Sequence, residues 1–504
     1  MGNKRLAINL IANTISYGTT AIIAFFLTPY LVSTIGKEAY SFYPLANNFV
    51  NYMSVVTISL NSMASRFITI EFVKDDKIKA NKYFVSVLYS NIAMSLLLLI
   101  PMIIIIIFLD GLLNIPLSLI SSVRILFLLV FLSMIINVIT AVFGVAVFVK
   151  NKLEYKSIAE IIVGILRVTL YVTLFSLFKP DIYYVGLVAF IISITLFLFN
   201  FGFTKRLLPD LKISKKFYDF KLVKEIFTSG IWNSVNQIGA ILLTSVSLLF
   251  SNIYLGASEA GIYAITLTIP SFINGIISML TAVFMPSITH RFAQGNKENL
   301  LYEVKKSQKI MGLVTNIPIT IYMAVGLEFF SLWMPTENPY KLQTLSLLVI
   351  GHLIITGVVW PVSNLNIVMN KVKTPSLYMV FSGVLNIILI VLLLNTTSLG
   401  VYAIAITAFI INLIWVGVFI PIYPTIIMKI SKTTFYPPVF KSLIGGALIY
   451  LFTFKIKGLI AVTSWNDIII ISVISGLFGL ILNALIIFGP ERIKEYIKYY
   501  GIRK

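Results

Sequence analysis

The sequences IGKEAYSFY at 35–43 and LGASEAGIY at 255–263 decide the fold of this 504-residue chain. Each follows a long apolar stretch, and each carries a Glu-Ala pair, which begins at Glu38 in the first copy and at Glu259 in the second. An element that recurs between apolar stretches at a fixed distance is the mark of an internal repeat. The pair therefore predicts two copies of one helical unit.

Other short matches on both sides of these two sequences keep the same order and nearly the same offset. They are NTIS (13–16) with NSVN (233–236), RF (66–67) with RF (291–292), and GILR (164–167) with GVLN (383–386). Six apolar stretches make up each copy, and an even number means that both copies enter the membrane in the same direction. The pattern predicts two parallel six-helix lobes, with two further helices outside the repeat.

The composition sets the fold class. Hydrophobic residues make up 58% of the chain and charged residues only 12%, against roughly 25% charged in a typical soluble domain. A soluble core cannot bury so much apolar surface, whereas helices of about 20 residues each can place it in a bilayer. We predict an all-α polytopic membrane protein with about 14 transmembrane helices.

The predicted domain boundaries lie in the polar segments between the apolar stretches. They are a six-helix lobe at 1–204, a basic cytoplasmic linker at 205–227, a second lobe at 228–425, two additional helices at 426–488 and an amphipathic tail at 489–504.

The net charge of +20 comes from 39 Lys and Arg residues. In a soluble protein it would suggest nucleic acid, but here 32 of these residues fall in alternate connections and the termini, and six on the other side. The positive-inside rule explains that split. It predicts a multi-pass protein of the cytoplasmic membrane with both termini cytoplasmic, and no nucleic-acid partner.

Several chemistries are excluded. The chain has no cysteine and only two histidines, His290 and His352, far apart in sequence, so we expect no metal site. No phosphate-binding loop is present. The outer connections are too short to hold a catalytic domain, which argues against a membrane glycosyl polymerase or ligase. We expect a non-enzyme without catalytic residues or a bound cofactor.

Polar side chains inside apolar stretches are the candidates for substrate contact, because they are costly in a bilayer. Glu160 and Arg167, seven residues apart, lie on one helix face. Neutral polar residues would line a cavity with them, or alternatively join helices by hydrogen bonds. These are Asn13, Ser16, Tyr17, Asn51, Asn233, Asn236, Gln237 and Asn274.

Charged residues near helix ends are a second set. Arg66 and Arg291 recur in both copies and, with Arg124, are candidates for a gate or a head-group contact; anchoring at the membrane surface is the alternative. Glu328 and Glu160 are candidates for binding a coupling ion, a proton or sodium, or are structural carboxylates.

The two lobes, the IGKEAYSFY and LGASEAGIY elements, and Arg-Phe followed by KDDKIKANK or AQGNKENLL together resemble a known family. They resemble the polysaccharide-synthesis (Wzx-type) flippases of the multidrug/oligosaccharidyl-lipid/polysaccharide exporter superfamily. The resemblance implies a bacterial inner-membrane flippase that moves an undecaprenyl-pyrophosphate-linked oligosaccharide, such as an O-antigen or capsule unit, by alternating access. Polysaccharide polymerase and glycosyltransferases would be its partners, and Arg167 would meet the pyrophosphate.

Two other transporters stay open as alternatives. A cation-coupled multidrug-type exporter would use an acidic, aromatic-lined pocket, for which the spans offer only Glu160 and Glu328. A lipid II flippase is the other alternative; members of that group usually carry charges in the first helix, whereas residues 6–36 here have none.

Overall fold

The structure is a computed structural model, and it describes residues 2–489. Every regular element in that part of the chain is helical. The longer helices of the first half are α1 (Gly2–Ile35), α2 (Lys37–Val73), α3 (Lys77–Ile107), α4 (Ile120–Thr140), α5 (Leu153–Leu177) and α6 (Tyr183–Leu207). A 3-10 turn, Ala141–Gly144, and a short helix, Val145–Val149, continue α4.

The second half begins with α7 (Phe220–Ala240), a π-helical turn (Ile241–Ser245) and α8 (Val246–Thr266). Then follow α9 (Thr268–Ala293), α10 (Lys297–Trp333), α11 (Pro339–Ile350), α12 (Leu353–Val368), α13 (Lys373–Thr396) and α14 (Val401–Ile414). After a second π-helical turn, Trp415–Phe419, come α15 (Ile420–Met428), α16 (Pro437–Leu459) and α17 (Trp465–Phe488).

The described residues contain 12 candidate membrane spans by length and apolarity. One of them, Phe220–Ala293, is 74 residues long and turns at Gly256, so it holds two passes. The 37-residue helix α2 is not among the 12, but its length also suffices for one pass. These give fourteen passes, and the prediction of an all-α polytopic membrane protein is confirmed. The predicted tail at 489–504 lies outside the described residues, apart from Gly489.

The repeat is visible in the backbone. Residues with a left-handed φ occur at matching places in the two copies, 219 or 220 positions apart. The pairs are Gly36 (84°) with Gly256 (86°), Asp75 (61°) with Gly295 (71°), and Asn151 (50°) with Asn370 (54°). Such φ values are uncommon outside glycine. The two copies therefore turn between helices in the same way.

By compactness the described chain divides into two units. The first runs up to Ala264 and includes Ser376–Ile387; the second comprises Ile265–Pro375 and the chain from Ile388 onward. The first unit therefore contains α7, most of α8 and the middle of α13, which packs on α7. The hydroxyl of Ser376 donates to the Trp232 carbonyl at 3.1 Å.

In the first unit, α2 packs along α3 and α7, α4 along α6, and α1 along α5. The approach of α2 and α7 depends on Gly230, since a Cβ there would collide with the Ser59 carbonyl. Beside this contact the hydroxyls of Ser59 and Ser234 are 2.7 Å apart. A small residue and a buried hydrogen bond hold these two helices, as is common in membrane helix pairs.

The connection between α6 and α7 covers only 208–219, which is shorter than the predicted linker at 205–227. Both flanking helices extend past their apolar parts, and the Asp219 carboxylate caps α7 by accepting from the Lys221 amide. The connection is fixed to α3: Asn81 donates to the Lys212 carbonyl at 3.1 Å and accepts from its amide at 2.9 Å. Charged helix ends thus remain helical beyond the apolar segment.

In the second unit, α10 is the central helix, in contact with α9, α12, α16 and α17. The Gln308 amide donates to the Phe435 carbonyl, which precedes α16. Nearer the middle of α10, Asn316 donates to the carbonyl and hydroxyl of Ser442 and accepts from Asn483 at 2.7 Å. The C-terminal helix pair is therefore attached to α10 through buried amides. With 23 residues, α16 is long enough to cross a bilayer.

Candidate functional site

A cavity of about 310 Å³ lies between α1 and α5 in the first unit. Gly164 of α5 packs against Ile23 of α1, since a Cβ there would lie 2.9 Å from Cδ1 at the end of the Ile23 side chain. One residue of α6, Leu196, completes the wall. The lining residues are Asn13, Ser16, Tyr17, Thr20, Ile23, Glu160, Val163, Gly164, Arg167 and Leu196.

Glu160 is held in place at one side of this cavity. The buried Ser16 hydroxyl donates to its Oε2 atom at 2.7 Å. The Lys156 ammonium, one turn earlier on α5, lies 3.7 Å from Oε1. Because the Lys156 side chain is 54% exposed, solvent weakens this ion pair. The hydrogen bond from α1 fixes the carboxylate, and the lysine compensates its charge.

Arg167 lies two turns further along α5, about 10 Å along the helix axis from Glu160. Its side chain is half-buried. Within residues 2–489 its guanidinium has no hydrogen-bond acceptor and no carboxylate partner. A guanidinium carries five N–H donors that need partners in a low-dielectric site. The donors of Arg167 are therefore available to a ligand in the cavity.

The rest of the polar lining is neutral and comes from α1. Of the ten residues predicted for substrate binding, the structure brings five together here: Asn13, Ser16, Tyr17, Glu160 and Arg167. Sequence reasoning missed Thr20. Its position four residues after Ser16, on the same helix face, was the available signal. The role of these residues in substrate binding stays a prediction.

The other predicted cavity residues lie elsewhere. Asn233 on α7 donates to the Ser62 hydroxyl of α2 at 3.0 Å, which is the helix-joining role considered above. Asn51, Asn236 and Gln237 lie on α2 and α7 in the same unit, and Asn274 lies on α9 in the second unit. None of these lines the α1–α5 cavity.

The three predicted gate arginines have different surroundings. Arg124 forms an ion pair with Asp110 at 2.7 Å, and this hydrogen bond lowers the pKa of the Asp110 carboxyl. Arg291 donates to the Gln294 side chain at 3.2 Å. Arg66 is exposed beside a groove at the end of α2. A gating role is untested for all three.

Glu328 forms an ion pair with a residue that is distant in sequence. Its Oε1 atom lies 2.8 Å from the ammonium of Lys457 on α16, and both side chains are about one-fifth exposed. The same ammonium donates to the Ala324 carbonyl at 3.0 Å. This pair is a third attachment between α10 and the C-terminal helices. Among the described residues, no group of three or more His, Asp or Glu side chains is arranged to hold a metal ion.

A family model described as "Polysaccharide biosynthesis protein" matches residues 6–292, which is more than half of the chain. The chain belongs to this polysaccharide biosynthesis protein family. The matched part includes every residue that lines the α1–α5 cavity, from Asn13 to Leu196.

One relative and two solved structures show what else the chain resembles. The chain is 28% identical to the "Uncharacterized membrane protein EpsK" of Bacillus subtilis (strain 168) over 465 residues, 92% of each chain. Its fold resembles a "multidrug resistance MATE family transporter of the MOP superfamily" (TM-score 0.67, 14% identity, 82% of this chain and 96% of that one). It also resembles the "Lipid II flippase MurJ" (TM-score 0.64, 17% identity, 94% and 98%). The shared property is the membrane fold.

A second group of polar residues in the chain surrounds the π-helical turn after α7. The turn frees backbone carbonyls, and Asn48 and Tyr52 of α2 donate to that of Ser245 at 3.0 and 3.1 Å. Asn386 of α13 donates to the carbonyls of Leu242 and Leu243. Sequence reasoning missed this role, because nothing in the apolar pattern signals a π turn.

Proposed function

We propose that the protein is a flippase that moves an isoprenoid-pyrophosphate-linked oligosaccharide across the cytoplasmic membrane by alternating access. The observation that carries the proposal is the half-buried residue Arg167 on the wall of a polar cavity, whose guanidinium has no hydrogen-bond acceptor and no carboxylate partner in the described chain. Membership of the polysaccharide biosynthesis protein family supports it. The O-antigen or capsule unit of a bacterium is the class of cargo proposed.

The charge of the cavity favours an anion. The negative charge of Glu160 is compensated by the positive charge of Lys156. The charge of Arg167 therefore gives the cavity a net charge of one positive unit. A guanidinium binds phosphate oxygens through paired charge-assisted hydrogen bonds. We therefore assign the pyrophosphate to Arg167.

The neutral side chains and the size of the cavity complete the assignment. Asn13, Tyr17 and Thr20 offer donors and acceptors that suit the hydroxyls of the first sugar. The volume of about 310 Å³ is at the small end of ligand pockets, roughly 300–1,000 Å³. The cavity thus suits the head group and first sugar, and not a whole oligosaccharide.

Coupling is assigned to Glu160 in preference to Glu328. Glu160 lies in the cavity beside the proposed head-group site, where binding of a proton or sodium changes the local charge. Glu328 has a lysine partner on another helix and joins two helices. A polysaccharide polymerase outside the membrane and glycosyltransferases inside it are the proposed partners, since they would consume and supply the cargo.

A cation-coupled multidrug-type exporter is the competing proposal, and Glu160 in the cavity is the observation that favours it. An organic cation would need an uncompensated carboxylate, whereas the Glu160 carboxylate has both Ser16 and Lys156 as partners. The positive charge of Arg167 would repel such a cation. A lipid II cargo would be bound by the same pyrophosphate chemistry, so experiment must separate it from other isoprenoid-linked saccharides.

Depletion of the protein in cells tests the proposal. We expect the complete lipid-linked oligosaccharide to accumulate in the cells, detected by lipid extraction and mass spectrometry. Complementation with the native chain should clear it, and complementation with Arg167→Ala should not. Accumulation of lipid II would move the assignment to that cargo. An unchanged lipid pool with increased drug sensitivity would favour the exporter and refute the flippase.

A further inference from the structure

A second concave surface lies at the end of α2 where the basic connections cluster. It is a groove of about 520 Å³ between the last turns of α2 and the short helix that continues α4. Its α2 side is one continuous helix face, since positions 66, 69, 70, 73 and 74 follow helical spacing. The lining residues are Ser65, Arg66, Thr69, Ile70, Val73, Lys74 and Phe148.

The groove combines two cations with exposed apolar side chains. Arg66 has neither a hydrogen-bond nor an ion-pair partner in the part of the chain that is described. Val73 is 79% exposed and Phe148 is 47% exposed, although neither is polar. An exposed apolar surface beside free positive charge matches the two parts of an anionic lipid.

Lys74 is also available to a ligand. It lies 3.5 Å from the buried Glu71 carboxylate, but Lys79 lies closer, at 3.2 Å from the same oxygen. Glu71 therefore keeps a cationic partner when Lys74 turns toward the groove. Asp75 and Asp76 follow in sequence, but neither lines the groove.

We propose that this groove binds a lipid with a phosphate head group, held by Arg66 and Lys74, whose hydrocarbon chain lies against Ile70, Val73 and Phe148. A free anion would leave the apolar wall uncovered, and a zwitterionic lipid would carry its own cation to the two side chains. The occupant we assign is an anionic phospholipid of the inner leaflet; the second source, an isoprenoid phosphate that awaits transport, is the alternative outcome of the competition test below. Only the second source rests on the proposed function. The site is separate from the α1–α5 cavity, with which it shares no residue.

Because the chain has no cysteine, Val73→Cys can carry a single bimane fluorophore in the groove. The probes are phosphatidylglycerol and phosphatidylcholine with brominated chains, added to the purified full-length protein in detergent. We expect brominated phosphatidylglycerol to quench the fluorophore at an at least fivefold lower concentration than brominated phosphatidylcholine. Adding Arg66→Gln and Lys74→Gln should remove that preference.

The matched control is Arg291→Gln, which removes the repeat-equivalent arginine outside the groove and should leave the quenching unchanged. Equal quenching by both lipids, or the same loss in the control, would overturn the proposal. Competition by millimolar inorganic phosphate as strong as that by phosphatidylglycerol would also overturn it, because the apolar wall would then contribute nothing.

The source of the lipid is decided by competition with undecaprenyl phosphate. Displacement of brominated phosphatidylglycerol by less undecaprenyl phosphate than unlabelled phosphatidylglycerol would identify a loading site for the cargo. Displacement that needs more would identify a phospholipid site. The measurement involves no transport, so failure of the flippase assignment would leave its result intact.

Discussion

Arg167 and Asn386 occupy equivalent positions of the two repeat copies, 219 residues apart, but only one of them has its donors engaged. The Asn386 side chain is fully buried and donates to the carbonyls of Leu242 and Leu243 at 3.2 and 3.3 Å. Arg167 borders a cavity and, in the described chain, has no acceptor. At this position the first copy therefore has side-chain N–H donors available to a ligand, whereas the donors of the second copy are used by backbone carbonyls.

Arg167→Ala should lower flipping by at least about tenfold, since charge-assisted hydrogen bonds contribute roughly 1.5–3 kcal/mol and 1.4 kcal/mol is tenfold. Arg167→Lys should retain part of the activity, because it keeps the charge without the fork. The measurement is transfer of a fluorescent isoprenoid-pyrophosphate saccharide in proteoliposomes. Near-native transfer by Arg167→Ala would make this residue a packing group.

Asn386→Ala is the internal comparison. It should reduce thermal stability in detergent, because the carbonyls of Leu242 and Leu243 lose their donor in a buried place. Transfer per folded molecule should fall less than with Arg167→Ala. An equal fall in both variants would show that the repeat position matters for the fold and not for the head group.

Glu160→Gln should abolish the response of transport to an ion gradient and leave substrate binding nearly unchanged. The amide oxygen of Gln can still accept the Ser16 hydrogen bond, so the α1–α5 contact is retained. Ser16→Ala is the matched control, since it removes that bond and keeps the carboxylate. Gradient-driven transport that persists in Glu160→Gln would show that the carboxylate is structural.

The Glu328–Lys457 pair should contribute to stability and not to coupling. Glu328→Gln or Lys457→Gln alone should cost about 1–3 kcal/mol, because each removes a charge partner from a poorly solvated group. The double variant should recover part of that cost, as a double-mutant cycle of unfolding midpoints would show. Additive losses would mean that the 2.8 Å contact carries no net energy. If Glu328→Gln lost gradient-driven transport at normal stability, Glu328 would again be a candidate for binding the coupling ion.

Gly445→Ala should destabilise the attachment of the C-terminal helices. A Cβ at this position of α16 would collide with the buried Asn483 side chain, which is fixed by its bond to Asn316. Gly476→Ala on α17 is the matched control, because no atom lies within 4 Å of its added Cβ. It should be neutral or stabilising by up to about 1 kcal/mol. Equal melting temperatures for the two variants would contradict the packing described.

Single cysteines test the orientation, since the native chain has none. Lys179→Cys and Lys216→Cys both replace exposed residues in connections between helices. An impermeant thiol reagent added to intact cells should label position 179 and leave position 216 unlabelled until the membrane is opened. The reverse pattern would invert the proposed placement of both termini in the cytoplasm.

The membrane fold was predictable because burial in lipid imposes long apolar stretches, and the repeat because its copies keep their order. The boundaries of the two compact units could not be predicted from the sequence. The apolar pattern assigns the middle of α13 to the second copy, but Ser376 and Asn386 donate to carbonyls of the region around α7. Such contacts depend on shape and on a π turn, which apolar spacing does not encode.

The placement of two residues of the candidate site was predictable for a local reason. Glu160 and Arg167 share a face because seven residues make nearly two turns. Their surroundings were not predictable, since Ser16 reaches Glu160 only because α1 packs along α5, and the two residues are 144 positions apart in sequence. Lys457, the partner of Glu328, is more than a hundred residues away in sequence, and no spacing rule joins them.

The paired left-handed residues also bear on the history of the chain. The described residues include nine with positive φ, and six of them fall into three pairs at nearly constant separation. Two unrelated halves would not be expected to have left-handed residues at equivalent positions. Gene duplication followed by fusion explains them, because each turn of the original unit then occurs in both halves. At the pair Asp75 and Gly295 the backbone conformation is shared and the side chains differ. Duplication of one helical unit accounts for the constant separation, and each copy can then carry different side chains on the same turns.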